Sequence, residues 1–216
     1  MKYSILIKGM LAMSLSACSS IKLPDSLPGY VAINSPEETN PVLRLPAREL
    51  SFPLSTEDMR DVRILEAKFD TEQNCAGLAA PQIGITKKII VFAAEESEEL
   101  RKWRPDFTQS MPKTIWINPS YESITEATHD DYEACFSVRD IAGMVARYQK
   151  IRYHAYTPKG KAISGEAEGF LARIIQHEID HINGILCIDR AHPGTLMSID
   201  AYRKKRAEAS NSAPKT

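Results

Sequence analysis

Several classes of protein are excluded by what this sequence lacks. Its four cysteines, Cys18, Cys75, Cys135 and Cys187, have no regular spacing and form no CxxC pair, so neither a disulfide framework nor an all-cysteine zinc site is indicated. The formal net charge of −1 over 216 residues gives no basic surface of the kind that binds nucleic acid. There are no internal repeats and no sign of a second domain. We therefore expect no nucleic-acid partner, and any other partner has to be inferred from a site.

Long hydrophobic runs are also missing, and the apolar stretch Gly9–Ala17 is too short to span a bilayer. Lys2 and Lys8 accompany it, which is typical of a signal peptide. The sequence from Leu15 to Cys18 fits a bacterial lipoprotein cleavage site. We therefore predict a signal peptide over residues 1–18 and a protein anchored to the membrane of the cell envelope through Cys18. The alternative is a cytoplasmic protein with an N-terminal extension.

The rest of the chain has the composition of one globular domain, because 43% hydrophobic residues suffice for a core. Residues 19–41 are rich in Ser, Pro, Asn and charge, which predicts a linker. The domain is expected over residues 42–202. Residues 203–216 form a polar tail, and its basic run Arg203–Arg206 is interpreted as the solvated end of a helix.

Local patterns predict most of the regular elements. A helix begins at Ser55 or Thr56, because Met59, Val62, Leu65 and Phe69 recur at helical spacing after acidic residues. Runs rich in β-branched residues predict two strands, and alternating residues around a Pro-Lys-Gly turn predict a hairpin. The two strands are Lys88–Ala93 and Thr114–Asn118, the second of which is ended by Pro119. The hairpin consists of Gln149–Tyr156 and Lys161–Glu168.

The segment Gly169–Asn183 is predicted to be a helix, with Gly184 at its C-terminal end. It contains the pattern H-E-x-x-H from His177 to His181. Positions four apart lie on one face of a helix, so both imidazoles can bind one metal ion, with Glu178 beside it.

A catalytic metal site needs a third protein ligand and an open position for water. Cys135 lies in the segment Glu133–Ser137, which can be an extended strand, although a free cysteine by itself usually only packs. A third segment, Gly77–Gly84 (GLAAPQIG), has small residues that allow a close approach to the backbone, and Gln82 can donate hydrogen bonds.

Together, the runs G-L-A-A-P-Q, E-x-C-x-S and Q-H-E-x-D-H resemble, in this order, the three signature motifs of peptide deformylases. The likeness extends from about Val42 to Arg190, which makes the predicted domain the catalytic one. It implies an α+β fold in which short antiparallel strands pack around a central metal-binding helix.

The resemblance also implies the roles of individual residues. Cys135, His177 and His181 would bind one ion per chain, Fe²⁺ first and Zn²⁺ next. Glu178 would be the general base, while the Gln82 side chain and the Phe136 N–H would stabilise the oxyanion. The substrates implied are N-formylmethionyl peptides or nascent protein N-termini, from which formate is released. The residues expected to bind substrate are Ala76, Gly77, Leu78, Glu133 and Phe170.

Some positions depart from the motifs of the family, namely Cys75, Ala134 and Phe136, and Arg173 is expected on the substrate side of the helix. None of them removes a ligand, but they favour an altered substrate pocket. Two alternatives stay open. One is a zincin-type metalloprotease, which normally takes its third metal ligand from a His or Glu further along the chain; His192 is the only histidine after the motif. The other is a lipoprotein with this fold that has altered substrates or has lost its activity.

Overall fold

The structure, a computed structural model, describes residues 21–212, and the predicted signal peptide and Cys18 lie outside this range. The helices are α1 (Pro41–Arg44), α2 (Thr56–Thr71), α3 (Glu98–Trp103), α4 (Gly169–Ile182), α5 (Cys187–Arg190) and α6 (Ile199–Ser212). The strands are β1 (Gly77–Ala79), β2 (Ile89–Ala94), β3 (Met111–Ser123), β4 (Thr128–Cys135), β5 (Val138–Tyr148), β6 (Lys150–Tyr156), β7 (Ala162–Glu168) and β8 (Met197–Ser198).

The strands form two antiparallel sheets on either side of one helix. The first has the order β1-β2-β3-β6-β7, and the second has the order β4-β5-β8. Helix α4 packs against β1, β2 and β5, and therefore against both sheets. This arrangement is the predicted α+β fold, with short antiparallel strands around a central helix.

Helix α4 is buried on nearly all sides. Leu171, Ile175 and Ile182 are fully buried in the core that α4 shares with the first sheet. The helix ends where predicted, because Gly184 adopts a left-handed φ of 77° and its N–H bonds to the carbonyl of His181. A β-carbon at Gly184 would also lie 2.6 Å from the Arg44 carbonyl oxygen, so only glycine fits.

Helix α2 covers the opposite face of the first sheet. Its N-cap is Ser55, whose hydroxyl accepts from the Asp58 N–H in a capping box. Val62, Leu65 and Phe69 are buried in a second core with residues of β2, as their spacing predicts.

Two features of the strands differ from the sequence analysis. Strand β3 does not end at Pro119 but continues to Ser123, because a register shift between Ile117 and Ser120 accommodates the proline, with Asn118 at a φ of 49°. Strand β5 was not predicted at all. It pairs along the length of β4, so its extended form comes from this partner.

The segments at both ends of the domain are also more ordered than predicted. Within the predicted linker, Ile33 is fully buried and forms a parallel bridge with Val138. At the other end, the basic run is part of α6, as expected, yet Arg206 is only partly exposed, because it pairs with Asp131 at 2.8 Å. Among residues 21–212, no helix is long and apolar enough to cross a membrane.

Candidate metal centre

Three side chains from two elements converge at the junction of the sheets. Cys135 is the last residue of β4, and His177 and His181 lie one turn apart on α4. The Cys135 Sγ is 3.2 Å from the His181 Nε2, which is 3.3 Å from the His177 Nε2. The donor atoms of all three residues lie within 4.8 Å of one another. The structure therefore brings the predicted ligands together.

The spacing of these atoms fits a tetrahedral metal ion. Ligand bonds of about 2.05 Å for nitrogen and 2.3 Å for sulfur place two nitrogens about 3.3 Å apart and nitrogen and sulfur about 3.6 Å apart. The observed 3.3 Å and 3.2 Å are close to these values. One thiolate and two imidazoles suit zinc or ferrous iron.

Electrostatics favour a cation at the same point. Burial opposes charge on His177, but the adjacent Cys135 and Glu133 raise its pKa well above the ordinary value, so positive charge is stabilised there. Burial and the charge on His177 lower the pKa of His181 well below its ordinary value. His181 is therefore neutral and free to bind a metal ion, and an ion bound at His177 would displace the proton that this position favours.

Beneath His177, a buried charge network sets the orientation of the ring. Glu133 accepts from the His177 Nδ1 at 2.8 Å, which directs the Nε2 to the centre. The same carboxylate accepts two bonds from Arg147 and one from Arg173. Burial alone would raise the pKa of Glu133, but the charge of Arg147 holds it well below its ordinary range. Glu133 is therefore a positioning group for His177, and its contact with substrate stays a prediction, because Glu133 also lines the cavity that opens onto the centre.

The network also includes Asp180, the second acidic residue of the H-E-x-D-H motif on α4. Asp180 is buried and pairs with Arg147 and, through both oxygens, with Arg190. The sequence analysis gave no role to Arg147 or Asp180. Asp180 stands inside the H-E-x-D-H motif and could have been noted there, whereas Arg147 has no local signal, since only the pairing of β4 and β5 brings it to Glu133.

Glu178 lies beside the ligands and is only 3% exposed. Burial raises the pKa of its carboxyl group to about 7. Its Oε2 has no hydrogen-bond partner among the described residues, so this oxygen can accept a proton from a reactant. A general base works best with a pKa near the working pH. The side chain is held against the backbone of Gly77, where a β-carbon would lie 2.8 Å from the Glu178 Cγ.

Gln82 and the turn after Cys135 complete the centre. The Gln82 Oε1 accepts from the Ala79 N–H at 2.8 Å, which directs its Nε2 to the Cys135 Sγ at 3.4 Å. Phe136 and Ser137 form the turn between β4 and β5, and the Ser137 N–H donates to the same sulfur at 3.3 Å. The predicted oxyanion donors, Gln82 and the Phe136 N–H, thus belong to segments that both adjoin the ligand cysteine.

A cavity of about 740 Å³ opens onto the centre. Of the predicted substrate-binding residues, Ala76, Gly77, Glu133 and Phe170 line it, and Ile174 adds an apolar wall that was not predicted. Leu78 does not line it, because its side chain is fully buried in the core beneath α2. Successive residues of a strand face opposite sides of the sheet, so Leu78 faces α2 while its neighbour Gly77 faces the cavity.

The residues that depart from the motifs also lie at this cavity. Cys75, Ala134, Phe136 and Arg173 are all on its wall. Burial raises the pKa of the Cys75 thiol to about 12, so the thiol is unreactive at neutral pH. Arg173 is buried and donates to Glu133 and to the carbonyls of Val145 and His129, so its cation is already neutralised.

His192, the residue on which a zincin-type ligand set would depend, lies elsewhere. Its Nε2 is 2.9 Å from the Asp130 Oδ1 at the surface. Cys135 occupies the third ligand position, so the geometry does not favour the protease alternative.

Comparison with known proteins decides the family. A family model described as polypeptide deformylase matches residues 37–196. The chain belongs to the peptide deformylase family. It is 55% identical over 192 residues to peptide deformylase 2 of Rickettsia conorii, covering 86% of this chain and 95% of the relative.

Solved deformylase structures agree with the fold. The Met-Ala-Ser-bound class I type b deformylase of Acinetobacter baumannii has a TM-score of 0.62 at 29% identity, over 76% of this chain and 100% of that chain. The deformylase of Synechococcus elongatus in complex with actinonin has a TM-score of 0.60 at 29% identity, over 81% and 86% of the two chains. The chain is thus a metallohydrolase of this family with a Cys-His-His metal-binding group.

Proposed function

We propose that this deformylase acts on N-formylmethionyl peptides and nascent protein N-termini, with Fe²⁺ as its resident ion and Zn²⁺ as the next best. The observation that carries the activity is the cluster of Cys135, His177 and His181 with the partnerless Oε2 of Glu178 beside it. The alternative of lost activity is not favoured, because every side chain that the chemistry needs is in place.

When bound, the ion lowers the pKa of a water molecule towards about 7 and polarises the formyl carbonyl. Glu178 takes the proton of that water, for which a pKa of about 7 is suited. The hydroxide that remains adds to the formyl carbon, and the C–N bond then breaks as the same carboxyl group hands its proton to the leaving amine, so formate and a free N-terminus result. Two donors, the Gln82 Nε2 and the Phe136 N–H, meet the developing negative charge on the formyl oxygen.

The cavity supports methionine as the first residue. Ala76, Phe170 and Ile174 provide an apolar surface next to the metal ligands, and Arg104 stacks on the Phe170 ring at 4.2 Å. A flexible thioether side chain packs well on such a surface.

The test is the release of formate from formyl-Met-Ala-Ser by the purified full-length chain. Acetyl-Met-Ala-Ser serves as a control: a deformylase leaves its internal bonds intact, whereas a protease cleaves them. Glu178→Gln is expected to keep one equivalent of metal and to lose roughly 100-fold or more of kcat. Full turnover by this variant would refute the role of Glu178. Metal analysis of protein purified without oxygen decides between Fe²⁺ and Zn²⁺.

We also propose that the mature protein is a lipoprotein anchored through Cys18. The support is the sequence alone, in which the apolar segment ends in a lipoprotein-type cleavage pattern. The mass of the mature N-terminus of the native protein tests this proposal. A lipid-modified Cys18 is expected, and an intact Met1 would reject it.

A further inference from the structure

Residues 30–33, which we name the strap, connect two parts of the active site. The Val31 N–H donates to the Gln82 carbonyl at 2.8 Å. Two residues later, the Ile33 N–H donates to the Ser137 carbonyl, and the Ile33 carbonyl accepts from Arg139, both at 3.0 Å. The strap precedes residues 37–196, the part of the chain that matches the family model. It therefore lies outside the matched part of the chain.

Tyr30 adds a side-chain contact to these backbone bonds. Its ring stacks on the ring of Phe136, with the centroids 4.7 Å apart and the planes 8° from parallel. The Lys68 ammonium of α2 lies 4.4 Å from the centre of the Tyr30 ring and pairs with Glu72 at 2.6 Å. Tyr30 thus joins the Phe136 turn to α2, and the aromatic ring makes both of these contacts.

The joined segments carry the two donors of the proposed oxyanion site. Gln82 and Cys135 are 53 residues apart in the sequence, so their relative position depends on tertiary contacts. Phe136 is 39% exposed although it follows a metal ligand directly, so the core does not enclose its ring. Contact with Tyr30 limits the movement of this ring, and with it the movement of the turn.

We propose that Tyr30 is a positioning residue for deformylation: with the strap, it fixes the Phe136–Ser137 turn relative to Gln82, so that both donors meet the formyl oxygen together. This inference rests on the proposed function. Preorganised donors act on the transition state, so their misplacement lowers kcat more than it changes KM.

The experiment compares Tyr30→Ala and Tyr30→Phe in the full-length, metal-loaded chain with formyl-Met-Ala-Ser. Tyr30→Ala is expected to lower kcat by about ten-fold, less than the roughly 100-fold to 1000-fold loss of a deleted oxyanion donor, with KM changed by less than about two-fold. Tyr30→Phe retains the ring and is expected to restore kcat. Tyr30→Leu replaces the alanine variant if the latter does not fold, because leucine keeps apolar bulk without a flat ring.

A matched control is Tyr156→Ala, since Tyr156 also packs on an aromatic ring, that of Phe52 at 5.2 Å, and does not line the cavity. It should lose stability but keep kcat. The inference is overturned if Tyr30→Ala keeps the wild-type kcat, if only KM changes, or if Tyr30→Phe is as impaired as Tyr30→Ala. Failure of the wild-type chain to release formate would instead overturn the proposed function.

Discussion

Replacing Gly77 by alanine tests the position of Glu178 with one added methyl group. The new β-carbon would approach the Glu178 Oε1 most closely and would lie 2.8 Å from both the Cγ and the Cδ of the same side chain. An ordinary contact starts at about 3.4 Å, so the Cγ and Cδ have to move by about 0.6 Å and the Oε1 by more. Since Glu178 is only 3% exposed, the core resists this movement.

The expected cost follows from that displacement. A misplacement of about 1 Å costs roughly 100-fold in rate, so Gly77→Ala should lower kcat between about ten-fold and 100-fold. This range corresponds to about 1.4 to 2.7 kcal/mol of transition-state stabilisation. Gly77 makes no metal bond in this arrangement, so the variant should still hold one equivalent of metal.

The assay is steady-state release of formate together with metal analysis and thermal unfolding. Gly29→Ala is the matched control, because a β-carbon at Gly29 meets no atom within 4 Å. It should leave kcat unchanged. A Gly77→Ala variant with wild-type kcat would show that the close packing of Glu178 on Gly77 is not needed, and the reasoning would be refuted.

Three further predictions concern the ligands and the buried charges. Cys135→Ala should lose most of its bound metal in elemental analysis, and full occupancy would reject Cys135 as a ligand. Glu133→Gln should lower the free energy of unfolding in urea by about 3–5 kcal/mol, because Arg147 loses a buried partner; a loss below about 1 kcal/mol would contradict this. Burial opposes the ionisation of Asp58, but hydrogen bonds from Lys87 and Ser55 lower its pKa overall, so its stabilising effect is present above about pH 4 and is lost as the pH falls further. Asp58→Asn should therefore flatten the acid limb of the stability profile, and an unchanged limb would argue against this ion pair.

Local patterns were sufficient for the elements whose own residues fix them. Helix α2 follows its spacing of Val62, Leu65 and Phe69, and α4 ends just before Gly184 because only glycine suits the backbone at that position. The hairpin of β6 and β7 follows from alternation and its turn. Strand β5 was missed, since its extended form depends on pairing with β4 and not on its own pattern.

Within the site, the sequence determined the chemistry, because H-E-x-x-H on a helix and a cysteine between two recognisable motifs specify the donor types. Tertiary structure decided what each neighbouring residue does. Glu133, expected only to meet substrate, also orients His177 and pairs with two arginines, and the Leu78 side chain lies in the core instead of the cavity. Neither outcome has a local signal, since both depend on which strand faces α4.

The sequence alone therefore predicted the central helix and two of the ligands, since spacing on one helix places His177 and His181 together in any fold that keeps the helix. The third ligand, Cys135, and the role of Glu178 as base were implied by the resemblance to the family. Only the tertiary structure decided how the centre is supported. Arg147 reaches Glu133 because two strands pair, and Tyr30 reaches Phe136 because the chain returns to the site from outside the matched domain. Contacts between distant segments depend on the packing of the whole chain, and no short pattern encodes them.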